Sequence, residues 1–288
     1  MVHLKNEHLT VDIGEAAAEM TSLKDREERE YLLRDTRYWG YSSPVLFPVV
    51  GSLAGGVLRH EGNTFPLKRH GFARNHTFTV VSATEDTARL RLTSTPETLT
   101  TFPFPFQLDV LYTLKGQEVL ITYEVTNPGK SPLPYSIGAH PAFWTTFAPE
   151  GFSAYTLEFE QPERLSTLKL NLENGLLLEK EDSLGENTRF LKLEKAIFQE
   201  DALVFRHLKS RHVTLTSPQD PRRVRVHIEG FPFLGIWTTP GDAPFICVEP
   251  WFGHADFEGF TGDFLNKPDN EILLPGETRT YTHRIEIL

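Results

Sequence analysis

Cysteine is nearly absent. Cys247 stands alone, so no disulfide can form within the chain, and that usage fits a reducing compartment. Methionine is scarce too, with 2 residues against 21 phenylalanines, and with Gly and Pro at 20 each this composition suggests many strands and many turns. No apolar run approaches the roughly 18 residues of a membrane-spanning helix. The opening stretch MVHLKNEHLTVDIGEAAAEM has early charges and no apolar core of the signal-peptide kind. A cytoplasmic protein with no membrane partner is expected. Basic residues are the minority, 29 against 39 acidic, for a formal net charge of -10. That argues against a nucleic-acid partner, because binding phosphates needs a clustered basic surface. A neutral small molecule is compatible with it.

Helical periodicity is also scarce. TPETLTTF, residues 95 to 102, reads as one short helix stopped by Pro103. MTSLKDREEREYLL fits either a turn or two of helix or strands around a charged loop. There is no P-loop and no dinucleotide fingerprint. GSLAG, residues 51 to 55, lacks the central serine of a nucleophile elbow. HExxH and paired Cys/His spacings are missing and the eleven histidines are scattered, so no motif supports a metal site.

What is present is alternation. Tyr155, Leu157 and Phe159 share one face of YTLEFE, and Val224, Val226 and Ile228 share one face of RVRVHIE. ARLRLTS puts Leu90 and Leu92 on one side, and the terminal TRTYTHRIEIL alternates as well. Period two over short runs means half-buried antiparallel strands. QEVLITYEV is more apolar and reads as a strand buried on both faces. HEGNTF, residues 60 to 65, reads as a hairpin turn with Gly62 and Asn63 at its centre. The strand rhythm does not change along the chain, and no linker interrupts it. The expected fold is all-β: one antiparallel β-sandwich domain over residues 1–288.

Three segments concentrate Gly, Pro, aromatics and ionisable groups: KRHGFARN (68 to 75), SIGAHPAFW (136 to 144) and FPFLGIWTTPGDAPFICVEPWFGHADF (231 to 257). Rigid backbone, flat apolar faces and a few placed polar groups suit a concave sugar site. Each candidate also has an ordinary reading. His140 before a proline fits a satisfied core histidine, and Glu249 fits a carboxylate capping amides at a strand end. Arg69, His70 and Arg74 fit a solvated hairpin, and Trp237 fits the core. His254 and Asp256 read as loop residues.

The blocks LFPVVG (46 to 51), RHGFAR (69 to 74), GAHPAF (138 to 143), FPFLGIWT (231 to 238), CVEPWFG (247 to 253) and the terminal LLPGET…HRIEI decide more by their order and spacing than singly. In these the chain resembles the aldose 1-epimerase (galactose mutarotase-like) superfamily, in its bacterial LacX-type branch. The resemblance covers almost the full length. It implies a β-supersandwich with the sugar in an open groove, Glu249 as general base, His140 as general acid and His70 as a sugar-holding residue. Arg74, and with less support from the block Arg69, would bind substrate, with Phe143, Trp237 and Trp251 lining the groove. No metal or organic cofactor is implied.

Ser52 departs from the pattern, standing where this branch usually has a substrate-contacting arginine. The chemistry is consistent with the implied roles. A carboxylate is in base form near neutrality, and a histidine can donate or accept there. Glycoside hydrolysis would normally use two carboxylates. The leading expectation is anomer exchange on a free hexose, by a monomer or homodimer. The alternatives are a hexose-6-phosphate 1-epimerase, with Arg59, Arg69 and Arg74 converging on the phosphate, and a noncatalytic sugar-binding protein.

Overall fold

A computed structural model describes residues 1–288. The alternating runs pair antiparallel into one continuous curled sheet of 15 strands. Its path runs from Val45–Leu46 through Ile137–Ala139, Phe245–Phe252, Phe233–Trp237, Leu203–Arg206, Thr156–Leu170, His212–Ser217 and Asp220–His227. It continues through Thr278–Ile287, Glu118–Thr126, Gln107–Lys115 and Thr87–Thr93 to Thr79–Ala83. Three small sheets accompany it, the first built from Val2–Lys5, Leu9–Ile13 and Met20–Asp25. The result is the all-β architecture expected from the period-two pattern.

Burial follows the pattern residue by residue. Tyr155, Leu157, Phe159, Val224, Val226, Ile228, Leu90 and Leu92 are all buried. They belong to one apolar cluster of 63 residues that runs from Val2 to Ile287 and so ties both chain ends to the same core. No helix is long and apolar enough to cross a membrane. The short helix is Pro96–Leu99, closed by a capping box between Thr95 and Thr98.

Three local expectations resolve differently or more sharply. Glu118–Thr126 is not buried on both faces: Val119, Ile121, Tyr123 and Val125 point inward, while the other face carries polar ladders. Thr122 pairs with Thr282 at 2.8 Å, and Glu124 joins Asp109 in holding the Arg89 guanidinium. The hairpin turn sits one residue earlier than read, because His60 pairs directly with Asn63 and leaves Glu61 and Gly62 at the tip. Both tip residues take positive φ, 48° and 77°, as a two-residue hairpin of this hand requires. The Asp263 carboxylate accepts from the Glu61 N–H at 2.8 Å and holds that side of the turn. The charged stretch after Met20 is strand and loop, not helix. Asp25 organises it, accepting from the backbone of Glu27 and Arg29, from the Arg29 guanidinium and from the Tyr31 hydroxyl.

The site depends on how Phe245–Phe252 lies in the sheet. It is flanked by Ile137–Ala139 on one side and Phe233–Trp237 on the other. Cys247, Glu249 and Trp251 share one face by alternation. The indole of Trp251 lies over both neighbouring strands, where each carries a glycine. A Cβ on Gly138 would sit 2.5 Å from the indole, and one on Gly235 would sit 2.3 Å from it. Small residues at 138 and 235 are therefore a packing requirement of Trp251. Gly235→Ala is expected to cost about 1–3 kcal/mol through overpacking. Chemical denaturation should show a lowered midpoint with an unchanged slope; an unaltered midpoint would refute the account of Trp251.

Candidate active site

Glu249 and His140 approach from adjacent strand systems, and the His140 Nε2 to Glu249 Oε2 distance is 3.2 Å. Only 5% of His140 and 1% of Glu249 is exposed. Neither carboxylate oxygen makes a hydrogen bond, nor does His140 Nδ1. Buried polar atoms are nearly always paired, so three orphans at one spot are a reservoir of unused bonding capacity. They border a cavity of about 200 Å3 walled by Trp39, Arg69, His70, Arg74, Asp201, Ala202, Trp237 and Trp251. That is smaller than cavities for drug-sized ligands, which start near ~300 Å3, and is the size class of one sugar ring.

Aromatic rings fix the imidazole. Trp39 lies against His140 at 4.6 Å between centroids, and Trp237 meets it edge-on at 5.5 Å. His70 stands 5.7 Å away, nearly perpendicular. His70 itself is clamped to the loop before it. Its backbone N–H donates to Gly51 O at 2.9 Å, and the Gly51 N–H donates to His70 Nδ1 at 3.2 Å. Arg69 Nε points at the other ring nitrogen, Nε2, also at 3.2 Å, and because a neutral imidazole has one acceptor nitrogen the two contacts compete for it.

The electrostatics follow from burial. Loss of water pushes the Glu249 carboxyl well above its ordinary value, with Arg69 opposing and Asp201 reinforcing that shift. Burial holds the His140 imidazole well below its ordinary value, and Arg74 and Arg69 push it the same way. His70 is lowered by burial, then by Arg69. The surroundings thus favour the uncharged forms of acid and imidazole alike. Arg69 ion-pairs with Asp201 at 2.9 Å. Arg74 donates to Arg69 O at 3.0 Å and packs over the Tyr41 ring.

Seven of the eight residues singled out from the sequence border this cavity: Glu249, His140, His70, Arg74, Arg69, Trp237 and Trp251. Phe143 does not. It is fully buried on the strand Ala142–Trp144, opposite Ile246, and packs into the main core. Arg59 is elsewhere, donating to Ala54 O at 2.9 Å. Ser52 lines a larger neighbouring cavity of about 700 Å3, which shares only Arg69 with the His140–Glu249 pocket.

Two contributors escaped the sequence reading. Trp39 lies in RYWGYSSP, whose aromatic and glycine density was a usable signal. Asp201 lies in a polar loop with no such signal.

His254 and Asp256 are not loop ornaments, since 1% and 3% of each is exposed. Asp256 accepts from the Ala54 N–H at 2.8 Å, and its own N–H donates to Ser52 O at 2.8 Å. Lys267, also buried, lies 3.6 Å from Asp256 and donates to His254 O at 2.7 Å. This cluster pins the segment 51–54, the same segment that orients His70.

A folded-state carboxyl raised above its unfolded value stabilises fully below about pH 4.5 and loses that stability as pH climbs through the raised value. Gln at this position cannot ionise. Glu249→Gln is therefore expected to melt higher than the parent at neutral pH, by roughly 2–4 °C per kcal/mol for a chain of this size class. The gain should shrink toward pH 4.5 in thermal melts across that window. A variant that melts lower at every pH would contradict the direction of the Glu249 shift.

Comparison with known proteins identifies the family. The family model described as aldose 1-epimerase matches residues 1–286. The chain is 36% identical over 296 aligned residues to the chromosomal protein LacX of Lactococcus lactis subsp. lactis, covering 100% of this chain and 99% of that one. It superposes with a TM-score of 0.94 on a galactose mutarotase related enzyme from Lactobacillus acidophilus, at 27% identity over 99% of this chain and 96% of that one. A galactose mutarotase-like protein from Lactobacillus casei ATCC 334 gives a TM-score of 0.94 at 28% identity, with both chains fully covered. This chain belongs to the aldose 1-epimerase family.

Proposed function

We propose that the protein is a mutarotase that interconverts the α and β anomers of a free hexose. The observation that carries the reading is the desolvated Glu249–His140 pair, 3.2 Å apart, with both carboxylate oxygens unbonded at the cavity wall. Glu249 takes the proton of the C1 hydroxyl. His140 gives a proton to the ring oxygen, the C1–O5 bond breaks with its electrons moving to O5, and C1 becomes the aldehyde carbon. After rotation about C1–C2 the two transfers run in reverse and close the other anomer.

Charge balance gives this scheme a direction. Transfer begins from carboxylate plus imidazolium and leaves carboxylic acid plus neutral imidazole. Burial favours the second arrangement for both groups. At rest the pair is held in that second arrangement, so charging it costs what ring opening then returns, and ring closure charges it again. Arg69, Arg74 and His70 border the cavity as the groups to hold sugar oxygens, and Trp237 and Trp251 offer ring faces to its C–H surfaces.

Two features weigh against a phosphosugar. Arg59 does not reach the pocket, and the charge of Arg69 is already matched by Asp201. A dianion would want several free cationic donors. The reading implies a soluble sugar-binding protein of the cytoplasm, with no nucleic-acid partner.

Polarimetry of freshly dissolved α-D-galactose and α-D-glucose tests the assignment. Glu249→Gln and His140→Asn are each expected to lower kcat by roughly 10²–10⁴, the usual range for general acid–base groups. A folded Glu249→Gln enzyme that keeps the parent rate would eliminate the base role. Faster exchange of glucose 6-phosphate alone, in a coupled assay for the β anomer, would replace the free-sugar reading.

The pair works while it holds one proton between its two members. Activity should therefore be bell-shaped in pH as a property of the pair. Because His140 is held below 6.5, the acid limb of kcat/KM should have its midpoint below pH 6.5. A midpoint well above that would contradict the site electrostatics.

A further inference from the structure

Cys247 is two residues before Glu249 on the strand Phe245–Phe252, so its side chain leaves the same face. It is fully buried. One ligand atom each from Cys247, His140 and Glu249 can be chosen so that all three lie within 4.8 Å of one another. The mechanism above uses the carboxylate and the imidazole but gives the thiol no task. We propose that Cys247, His140 and Glu249 form a site for a thiophilic divalent cation of the zinc or cadmium class.

Four observations support it. In a tetrahedral zinc site with bonds of ~2.0–2.2 Å to nitrogen and oxygen, those two donors sit about 3.3–3.5 Å apart. His140 Nε2 and Glu249 Oε2 stand at 3.2 Å. Both carboxylate oxygens are free of hydrogen bonds, so no existing bond has to be broken. Thiolate, imidazole and carboxylate form a donor set that suits zinc and disfavours magnesium or calcium. The open cavity in front of the pair leaves the fourth position for water.

On binding, the thiol proton passes to solvent and a metal–sulfur bond forms. Thiolate and carboxylate then balance the two charges of the cation. Arg74 opposes the cation, while Arg69 is compensated by Asp201.

Another His/Glu cluster has comparable spacing: Glu118, His227 and Glu286. It is already taken. Arg284 contacts Glu118 at 2.9 Å and donates to His227 at 3.0 Å, and Arg225 contacts Glu286 at 3.1 Å. One site per chain is expected.

Because the cation would sit on the acid and the base, it inhibits; this consequence rests on the mutarotase reading, whereas the site itself does not. The experiment titrates untagged protein with cadmium chloride while following thiolate-to-cadmium charge-transfer absorption. Zinc chloride is then titrated against mutarotation, each protein being referred to its own metal-free rate. The parent should take up one cadmium with the thiolate band and lose its activity to zinc, with recovery on adding EDTA. Cys247→Ser should lack the band and need at least tenfold more zinc for half-inhibition.

Cadmium uptake without a thiolate band in the parent overturns the proposal and needs no variant. Equal zinc sensitivity in Cys247→Ser, or no uptake at one equivalent, overturns it as well. Should the parent show the band but no mutarotation with any sugar, the metal site stands and the mutarotase reading falls.

Discussion

A carboxylate and an imidazole kept almost dry, in contact and without other bonds, form the most demanding arrangement in this molecule. Desolvation penalises both charged forms. Holding such a pair requires a backbone that does not yield, and its location meets that need. Glu249 sits on an interior strand bonded on both sides, and the imidazole of His140 is gripped by Trp39 and Trp237. The Trp251 indole laid across two glycine-bearing strands closes the floor. The aromatic wealth and the small residues of the sequence thus serve one another: large rings exclude water, and glycines make room for them.

Support also comes from behind the reacting groups. The buried Asp256, Lys267 and His254 do not border the pocket, but they tie residues 52 and 54 to the segment after Phe252. The loop so fixed holds both the backbone and the Nδ1 of His70. A buried ionic cluster contributes little net stability by itself. Its evident work is to fix the direction of a ring on the far side of a loop.

Strand alternation was legible because period two survives any later packing: Leu157, Phe159, Val224 and Val226 could face only one way together. It misled in QEVLITYEV, where Leu120 and Thr122 look apolar enough for a second core but lie on a polar, half-exposed face. Turn position slipped by one residue because Asp263, 202 positions away, holds the Glu61 amide. The same limit governs the site. Family blocks located Glu249, His140, His70, Arg69 and Arg74, but the facing of Phe143 depends on its partner strand. Asp201 became visible only once the fold brought it to Arg69. The burial of His254 and Asp256 was hidden for a like reason, since Lys267 is what makes it tolerable.

The pocket draws on residues 39, 69 to 74, 140, 201, 237 and 249 to 251, and its supporting loop is tied to residue 256. No local stretch of chain can form any useful part of it. Contacts of such sequence separation slow folding, since distant segments must be brought together before they reward one another. The chain must therefore be synthesised past residue 251 before the wall carrying Glu249 can dock. A partly made molecule has the histidines without the carboxylate, so sugar recognition arrives late and in one step with completion of the sheet.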